Sequence, residues 1–399
     1  MKLIKTDIKN NVLKAMIRIL DTKRVQIIEA NKKDLEAFGE KEGAMYDRLI
    51  VNDKKVDGMI QSIKEVMGQE DPVGNTISHL VLENGLDITN KTAPFGNIMI
   101  IYESRPDVTI EAAVLAFKAN NKIYLKGGKE AIHSNKILEA CWHEALTENG
   151  LETNWIELLH LNREETQEFL KNPPVQLDLI VPRGGERLIA FVKQHATGAV
   201  LVSGRGNNFL YVSENADFET AKKVILNAKT DKISGCNALD KVLIDQNLPE
   251  YESRLKELQK LLKDNNVEIL VDEKISEILS SEEKLPNEDT WYEEFLAMKI
   301  VIGSVDGIDN VINKINKYSG GHSAVIITKD KSEAIEFMEQ VDSAAVYHNA
   351  STRFTDGGQM GVGAELAIST DKLHHRGPLG LKQLVTNKYY VLGDGQIRE

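Results

Sequence analysis

Cysteine is scarce in this 399-residue sequence, where Cys141 and Cys236 are the whole complement. Two widely separated cysteines build no disulfide framework and match no zinc spacing. The nine histidines are scattered, and the one adjacent pair, His374-His375, lacks the i,i+4 spacing of a helical metal site. No metal is expected. Basic charge is not in excess either: the formal net charge is −12, which disfavours nucleic acid and anionic membrane as partners. Local Arg and Lys can still hold an anionic substrate. No window reaches the roughly 18 apolar residues of a membrane span. The opening residues form no apolar run of the kind a secretory leader needs. A cytoplasmic protein with reduced thiols is the expectation.

Hydrophobic residues make up 42% and charged residues 28%, enough apolar material for a sizeable core. Two or three domains fit the length. The most informative stretch is Ser234-Gly235-Cys236-Asn237-Ala238. Small neighbours leave a sulfur open to a substrate, and nearby lysines such as Lys229 and Lys232 favour the thiolate. The pentapeptide alone describes a chemically silent loop cysteine equally well. Cys141, beside Trp142 and on the helical face of Leu138 and Ala145, reads as core.

Residues 1–70 carry apolar positions at helical spacing. Two segments then follow one plan. Residues 122–126 form a strand, Gly127-Gly128 a turn, and a long helix follows. Residues 177–181 form a strand, Gly184-Gly185 a turn, and Glu186 opens a helix. This is the βα unit of a parallel sheet, whose ligands bind at the carboxyl ends of the strands. Neither turn is a GxGxxG fingerprint, so a purely structural turn stays open for each. Past Cys236 the βα alternation resumes to residue 328, and residues 282–289 read as an exposed loop. Residues 388–392 form one more strand.

Taken in order, several motifs resemble the γ-glutamyl phosphate reductase family, a branch of the aldehyde dehydrogenase superfamily. They are Tyr102-Glu103-Ser104-Arg105-Pro106-Asp107, Leu125-Lys126-Gly127-Gly128, Val181-Pro182-Arg183-Gly184-Gly185, Asn227-Ala228-Lys229 and Cys236-Asn237-Ala238. Residues 349–357, Gly363-Ala364-Glu365 and His375-Arg376-Gly377-Pro378 continue the set. No single piece is specific; the ordered set is.

The resemblance implies an aldehyde dehydrogenase-like α/β fold with a Rossmann-type NADP-binding domain over residues 1–228. A smaller α/β catalytic domain would follow over 229–345, and 346–399 would return to the first domain and add an oligomerisation strand. It implies reduction of L-glutamyl 5-phosphate to L-glutamate 5-semialdehyde with NADPH in proline biosynthesis, through a Cys236 thioester. The backbone amide of Cys236 and the side chain near Asn237 are candidate oxyanion donors. Lys126, Gly127, Gly128, Pro182, Arg183, Gly184 and Gly185 are expected at the cofactor, with Glu294, or its neighbour Glu293, on the nicotinamide ribose. Arg105, Asp107, Ser351, Thr352 and Arg353 are expected at the substrate; either arginine could instead tie down its own loop. Arg376 is expected to hold structure or a subunit contact. A homo-oligomer is expected, and glutamate 5-kinase, which makes the acyl phosphate, is a compatible partner.

Aldehyde-oxidising relatives carry a water-activating glutamate where this chain has Ser203-Gly204-Arg205-Gly206-Asn207. That lack suits phosphate as the acyl acceptor. Asn208-Phe209 stand where many members carry Cys-His, and Asp240-Lys241 where Glu-Thr is usual. These departures leave open a paralogue with altered substrate choice, oxidation of another small semialdehyde, or a non-catalytic relative.

Overall fold

Apolar residues at helical spacing build the first layer. α1 (Thr6–Thr22) buries Val12, Leu13, Met16, Ile19 and Leu20 along one stripe. α2 (Arg24–Phe38), α3 (Ala44–Leu49) and α4 (Asp53–Gly68) follow, and the Asn52 side chain caps α4 by accepting from the Lys55 N–H. These elements come from a computed structural model that describes residues 2–39, 44–373 and 375–398. His374 of the histidine pair lies outside the described residues.

β1 (Thr76–Val81) and β2 (Asp87–Pro94) form an antiparallel hairpin. Next come β3 (Asn97–Tyr102), α5 (Asp107–Lys118), β4 (Lys122–Lys126), α6 (Ile132–Glu148), β5 (Ile156–Leu158), α7 (Arg163–Lys171), β6 (Leu179–Arg183) and α8 (Glu186–His195). The strands make a parallel sheet in the order β5-β4-β3-β6. β3 is central and buried from Ile98 to Tyr102, the near-continuous apolar run that a strand covered on both faces requires. α5 is buried at every position except Glu111, its polar residues Asp107, Thr109 and Lys118 included.

A second parallel sheet is built from β7 (Asn208–Val212), β8 (Leu239–Asp245), β9 (Glu268–Val271), β10 (Glu283–Lys284), β11 (Lys299–Val305), β12 (Ser323–Ile327) and β13 (Ala345–His348). Its order is β10-β9-β11-β8-β7-β12-β13. The helices α9 (Phe218–Thr230), α10 (Tyr251–Asp264), α11 (Glu273–Ile278), α12 (Ile308–Tyr318) and α13 (Lys331–Gln340) connect these strands. β14 (Glu365–Ser369) and β15 (Gly377–Gly380) form a two-stranded sheet, and β16 (Val385–Leu392) pairs antiparallel with β2.

The chain divides into two units. The first is Met1–Val202 with Gly361–Ala367 and Leu379–Glu399; the second is Ser203–Met360 with Ile368–Pro378. The division expected at residue 228 therefore falls at Val202. β7, inside the span 1–228 expected for the first domain, pairs with β8 and β12 and carries α9 with it. The return of the chain likewise begins at Gly361, not at residue 346, because β13 pairs with β12 in the second sheet. Residues 282–289, expected as a loop, contain the short edge strand β10. Among the described residues no helix is long and apolar enough to cross a membrane, and no group of three or more His, Cys, Asp or Glu could hold a metal ion.

Candidate active site

In the first unit the candidate residues stand at the carboxyl ends of β3, β4 and β6. Lys126 ends β4, and its Nζ donates to the Gly127 carbonyl at 2.8 Å. Burial pulls its ammonium below the usual lysine range. A Cβ on Gly127 would overlap the Asn135 side chain and meet Tyr102, and one on Gly184 would meet Glu103 and Leu188 at 2.6–2.7 Å. Glycine lets both turns pack this closely. Gly185 differs: a Cβ there would meet nothing within 4 Å. It stands at the N-cap of α8 with no side chain capping the helix. Its N–H faces the Glu103 carboxylate at 3.3 Å. The room at this glycine lets a pyrophosphate approach the helix start and take the place of the Glu103 carboxylate at the N–H, and on that footing these residues fit a dinucleotide. Pro182 and Arg183 close β6, and burial, then the Arg105 charge, lower the Arg183 guanidinium.

Arg105 turns its fork on Asp107, with Nη2 to Oδ2 at 3.0 Å, and Lys55 Nζ reaches the same oxygen at 2.8 Å. Burial alone would raise the Asp107 carboxyl; Arg105 and Lys55 overcome it and hold the group at about 2. Asp107 is therefore already saturated with cations, and it aligns Arg105 and Lys55 more readily than it could bind substrate directly. Lys55 was not expected. It lies 52 residues upstream in a charged helix start, and nothing in its neighbours marks it.

In the second unit Cys236 is exposed, on the loop that leads from α9 into β8. Cys141, by contrast, is fully buried in α6, and burial pushes its thiol up to about 11. The Cys236 loop is held from beneath. The Asn208 amide donates to the carbonyls of Cys236 at 2.8 Å, Ala238 at 2.6 Å and Gly206 at 3.0 Å, and its Oδ1 accepts from the Ser323 N–H at 3.0 Å. Thr352 Oγ1 donates to the Asn237 carbonyl at 2.6 Å. The Asn237 amide in turn donates to the carbonyls of Arg353 and Thr355 at 3.3 and 3.0 Å. Gly206 lies so close that a Cβ there would sit 2.6 Å from the Cys236 Cα.

Three expectations change with this geometry. The Asn237 side chain spends both N–H groups on backbone, so it holds a turn and is not an oxyanion donor. Thr352, fully buried, holds the loop and offers substrate no hydroxyl. Ser351 Oγ caps the short 3-10 turn by accepting from the Arg353 N–H at 3.3 Å, a structural task for a residue expected at the substrate. The cations expected around the cysteine also sort differently. Lys229 is buried in an ion pair with Asp240 at 2.9 Å, whereas Arg353 Nη1 lies against Gly235, where a Cβ would meet it at 2.8 Å. Asp231 holds Arg353 through Nε at 2.9 Å.

The departures at Asp240-Lys241 also find partners. Asp240 Oδ2 accepts from the Phe295 N–H at 2.9 Å, and Lys241 Nζ donates to the Glu293 carbonyl at 2.8 Å while lying 3.9 Å over the Phe295 ring. Burial pushes Lys241 down to about 7. Together they fix the segment that carries Glu294. Phe209 is core, stacked on Trp291. In the segment 203–207 Arg205 donates to the Tyr292 carbonyl and Asn207 to those of Trp291 and Tyr318. Arg376 donates to the Asp342 side chain and carbonyl, a structural tie.

No family model matches the chain. The γ-glutamyl phosphate reductase of Dictyoglomus thermophilum is 42% identical over 402 residues, which covers 100% of this chain and 96% of that one. That of Caldicellulosiruptor saccharolyticus is 45% identical over 387 residues, covering 96% and 92%. The crystal structure of γ-glutamyl phosphate reductase from Thermotoga maritima superposes with a TM-score of 0.94 at 42% identity, covering 99% of this chain and 95% of that one. An acetylating aldehyde dehydrogenase from Geobacillus thermoglucosidasius, 16% identical, shares the fold with a TM-score of 0.69, covering 99% and 94%.

Proposed function

The chain belongs to the γ-glutamyl phosphate reductase family, and from that premise we propose that it reduces L-glutamyl 5-phosphate to L-glutamate 5-semialdehyde with NADPH, releasing phosphate, in proline biosynthesis. The observation that carries this reading is the exposed Cys236 on a loop whose Cys236, Asn237 and Ala238 carbonyls are anchored. Its thiolate attacks the acyl carbon and forms an S–C bond as the C–O bond to phosphate breaks. The covalent thioester divides one hard reduction into two easier steps. Arg353, fixed beside Gly235 by Asp231, meets the departing phosphate charge. Arg105 and Lys55, aligned on Asp107, suit the α-carboxylate.

Bound NADPH supplies the hydride. Lys126, Gly127, Gly128 and the residues 182–185 would hold it, with the open Gly185 and the α8 start for its pyrophosphate. Glu294, on a segment fixed by Asp240 and Lys241, would take the nicotinamide ribose. After reduction the thiohemiacetal collapses, the aldehyde leaves and the Cys236 thiolate is restored. The absence of an acid in Ser203–Asn207 fits phosphate, not activated water, as the acyl acceptor.

The remaining assignments follow from the same reading. The enzyme works in the cytoplasm as a homo-oligomer. β16 ends its three-stranded sheet with an exposed edge that a second copy can extend. The kinase that makes the acyl phosphate is a fitting partner, since it would shorten the exposure of a reactive intermediate to water.

The test is the reverse reaction: NADP⁺ reduction with glutamate 5-semialdehyde, with and without phosphate, in wild type and Cys236→Ala. Turnover should require phosphate and drop by at least about a thousandfold in the variant. Phosphate-independent oxidation would instead mean a hydrolytic aldehyde dehydrogenase.

A further inference from the structure

Cys236, Asn237 and Ala238 present three consecutive carbonyls, and each accepts a hydrogen bond from a buried side chain. Two of the three bonds come from one residue. Asn208 is fully buried at the amino end of β7, in register with Leu239 at the start of β8. Its Oδ1 takes the N–H of Ser323, which opens the neighbouring β12. One amide thus ties the nucleophile loop to the starts of three adjacent strands. We infer that Asn208 is a positioning residue for the nucleophile, setting both the direction and the acidity of the Cys236 thiol; this rests on Cys236 being the nucleophile.

The chemistry follows from the peptide group. No peptide in the described chain is cis, and in a planar trans peptide the carbonyl and the following N–H point in opposite directions. Drawing the Cys236 carbonyl inward onto Asn208 turns the Asn237 N–H the other way, out of the clamp. The loop leaves the carboxyl end of α9, where helix carbonyls disfavour an anion. Turning the loop's own carbonyls inward removes further negative dipoles from the sulfur's surroundings and leaves the Asn237 N–H, since that of Ala238 is taken by the Gly235 carbonyl. A thiolate is favoured by that exchange. The amide of Asn208 is suited to the task, because one NH2 group can serve two carbonyls while its oxygen satisfies a third strand.

Two variants separate this role from simple packing. Asn208→Leu keeps the branching at Cγ, with a somewhat larger volume, and removes both donors and the acceptor. Asn208→Asp keeps the shape but faces the same carbonyls with a carboxyl group that donates only when protonated. In Asn208→Leu, kcat of the reverse reaction should fall roughly 100-fold with KM within about twofold. The pH midpoint for alkylation of Cys236 by iodoacetamide should rise by about one unit. In Asn208→Asp, the ratio of variant to wild-type turnover should climb on acidification, as the carboxyl gains its proton and one hydrogen bond returns. Circular dichroism and Tm establish folding in each case; if Asn208→Leu does not fold, the pH-dependent ratio in Asn208→Asp decides alone. Folded variants with wild-type kcat and a wild-type alkylation profile would overturn the inference. Full activity in Cys236→Ala would instead overturn the nucleophile reading on which it stands.

Discussion

Each of the two units contains a parallel α/β sheet, yet their candidate residues stand at opposite ends of its strands. In the first unit Tyr102, Lys126 and Arg183 end β3, β4 and β6, and the open Gly185 leads into a helix start. In the second, Asn208 and Ser323 begin β7 and β12, and Cys236 arrives from a helix end just before β8. The carboxyl end of a parallel strand feeds helix N-termini, whose N–H groups suit anions without further help. The amino end receives helix C-termini, whose carbonyls do not. A thiolate at that end must have nearby carbonyls taken up by other donors. Asn208 and Thr352 provide them. One fold class thus offers two kinds of site, one ready-made by topology and one assembled from buried side chains.

Paired glycine substitutions test that contrast most strongly. Gly206→Ala pushes a methyl group into the Cys236 backbone. We expect turnover to fall roughly 100-fold and stability by about 1–3 kcal/mol. Gly185→Ala meets no atom within 4 Å and has φ of −66°, so Tm should hold while the Kd for NADPH weakens roughly 3–10-fold. Equal losses of turnover in both variants would break the comparison. A smaller effect separates the two cation sites. Arg353→Ala should raise the KM for phosphate in the reverse reaction about tenfold, and Asp231→Asn about threefold. Arg105→Ala should act mainly on the semialdehyde KM.

The smallest effect concerns pH and sharpens the first unit's side. Asp107 has a folded pKa of about 2, below its unfolded value of about 3.9. Its contribution is present above the unfolded value and is lost as pH falls through the folded one. It amounts to about 2–3 kcal/mol. Urea unfolding between pH 5 and pH 2 should record that loss in wild type. Asp107→Asn, already without the charge, should show a shallower dependence.

Much of this molecule is legible in its sequence. The strand, glycine pair and helix expected from residues 122 and 177 onward carry their own local signals, and both fold as βα units, the second strand two residues later than 177–181. Cys236 stands out through its small neighbours, as does Cys141 through its apolar ones. What escapes reading is pairing at long range. β7 looks like any other buried parallel strand, and only its partners β8 and β12 assign it to the second sheet. Asn208 reads as an anomaly beside Phe209 until the Cys236 carbonyl, 28 residues on, is seen to bond to it. Lys55 likewise gains meaning only through Asp107. Thr352 looks like a free hydroxyl in sequence because its hydrogen bond to the distant Asn237 carbonyl leaves no local trace.

The pairing of β16 with β2 also sets an order of events during synthesis. Asn90 and Asn387, hydrogen-bonded across these strands, are 297 residues apart. β2 therefore leaves the ribosome with one edge open and keeps it open while the whole second sheet, contained in Ser203–Met360, is made. That sheet can complete itself first from contiguous chain, whereas the first unit must wait for the segment from Leu379 onward. The newborn chain carries an unpaired strand edge through most of its synthesis, and chaperone capture at β2 would shield the very edge that β16 later closes.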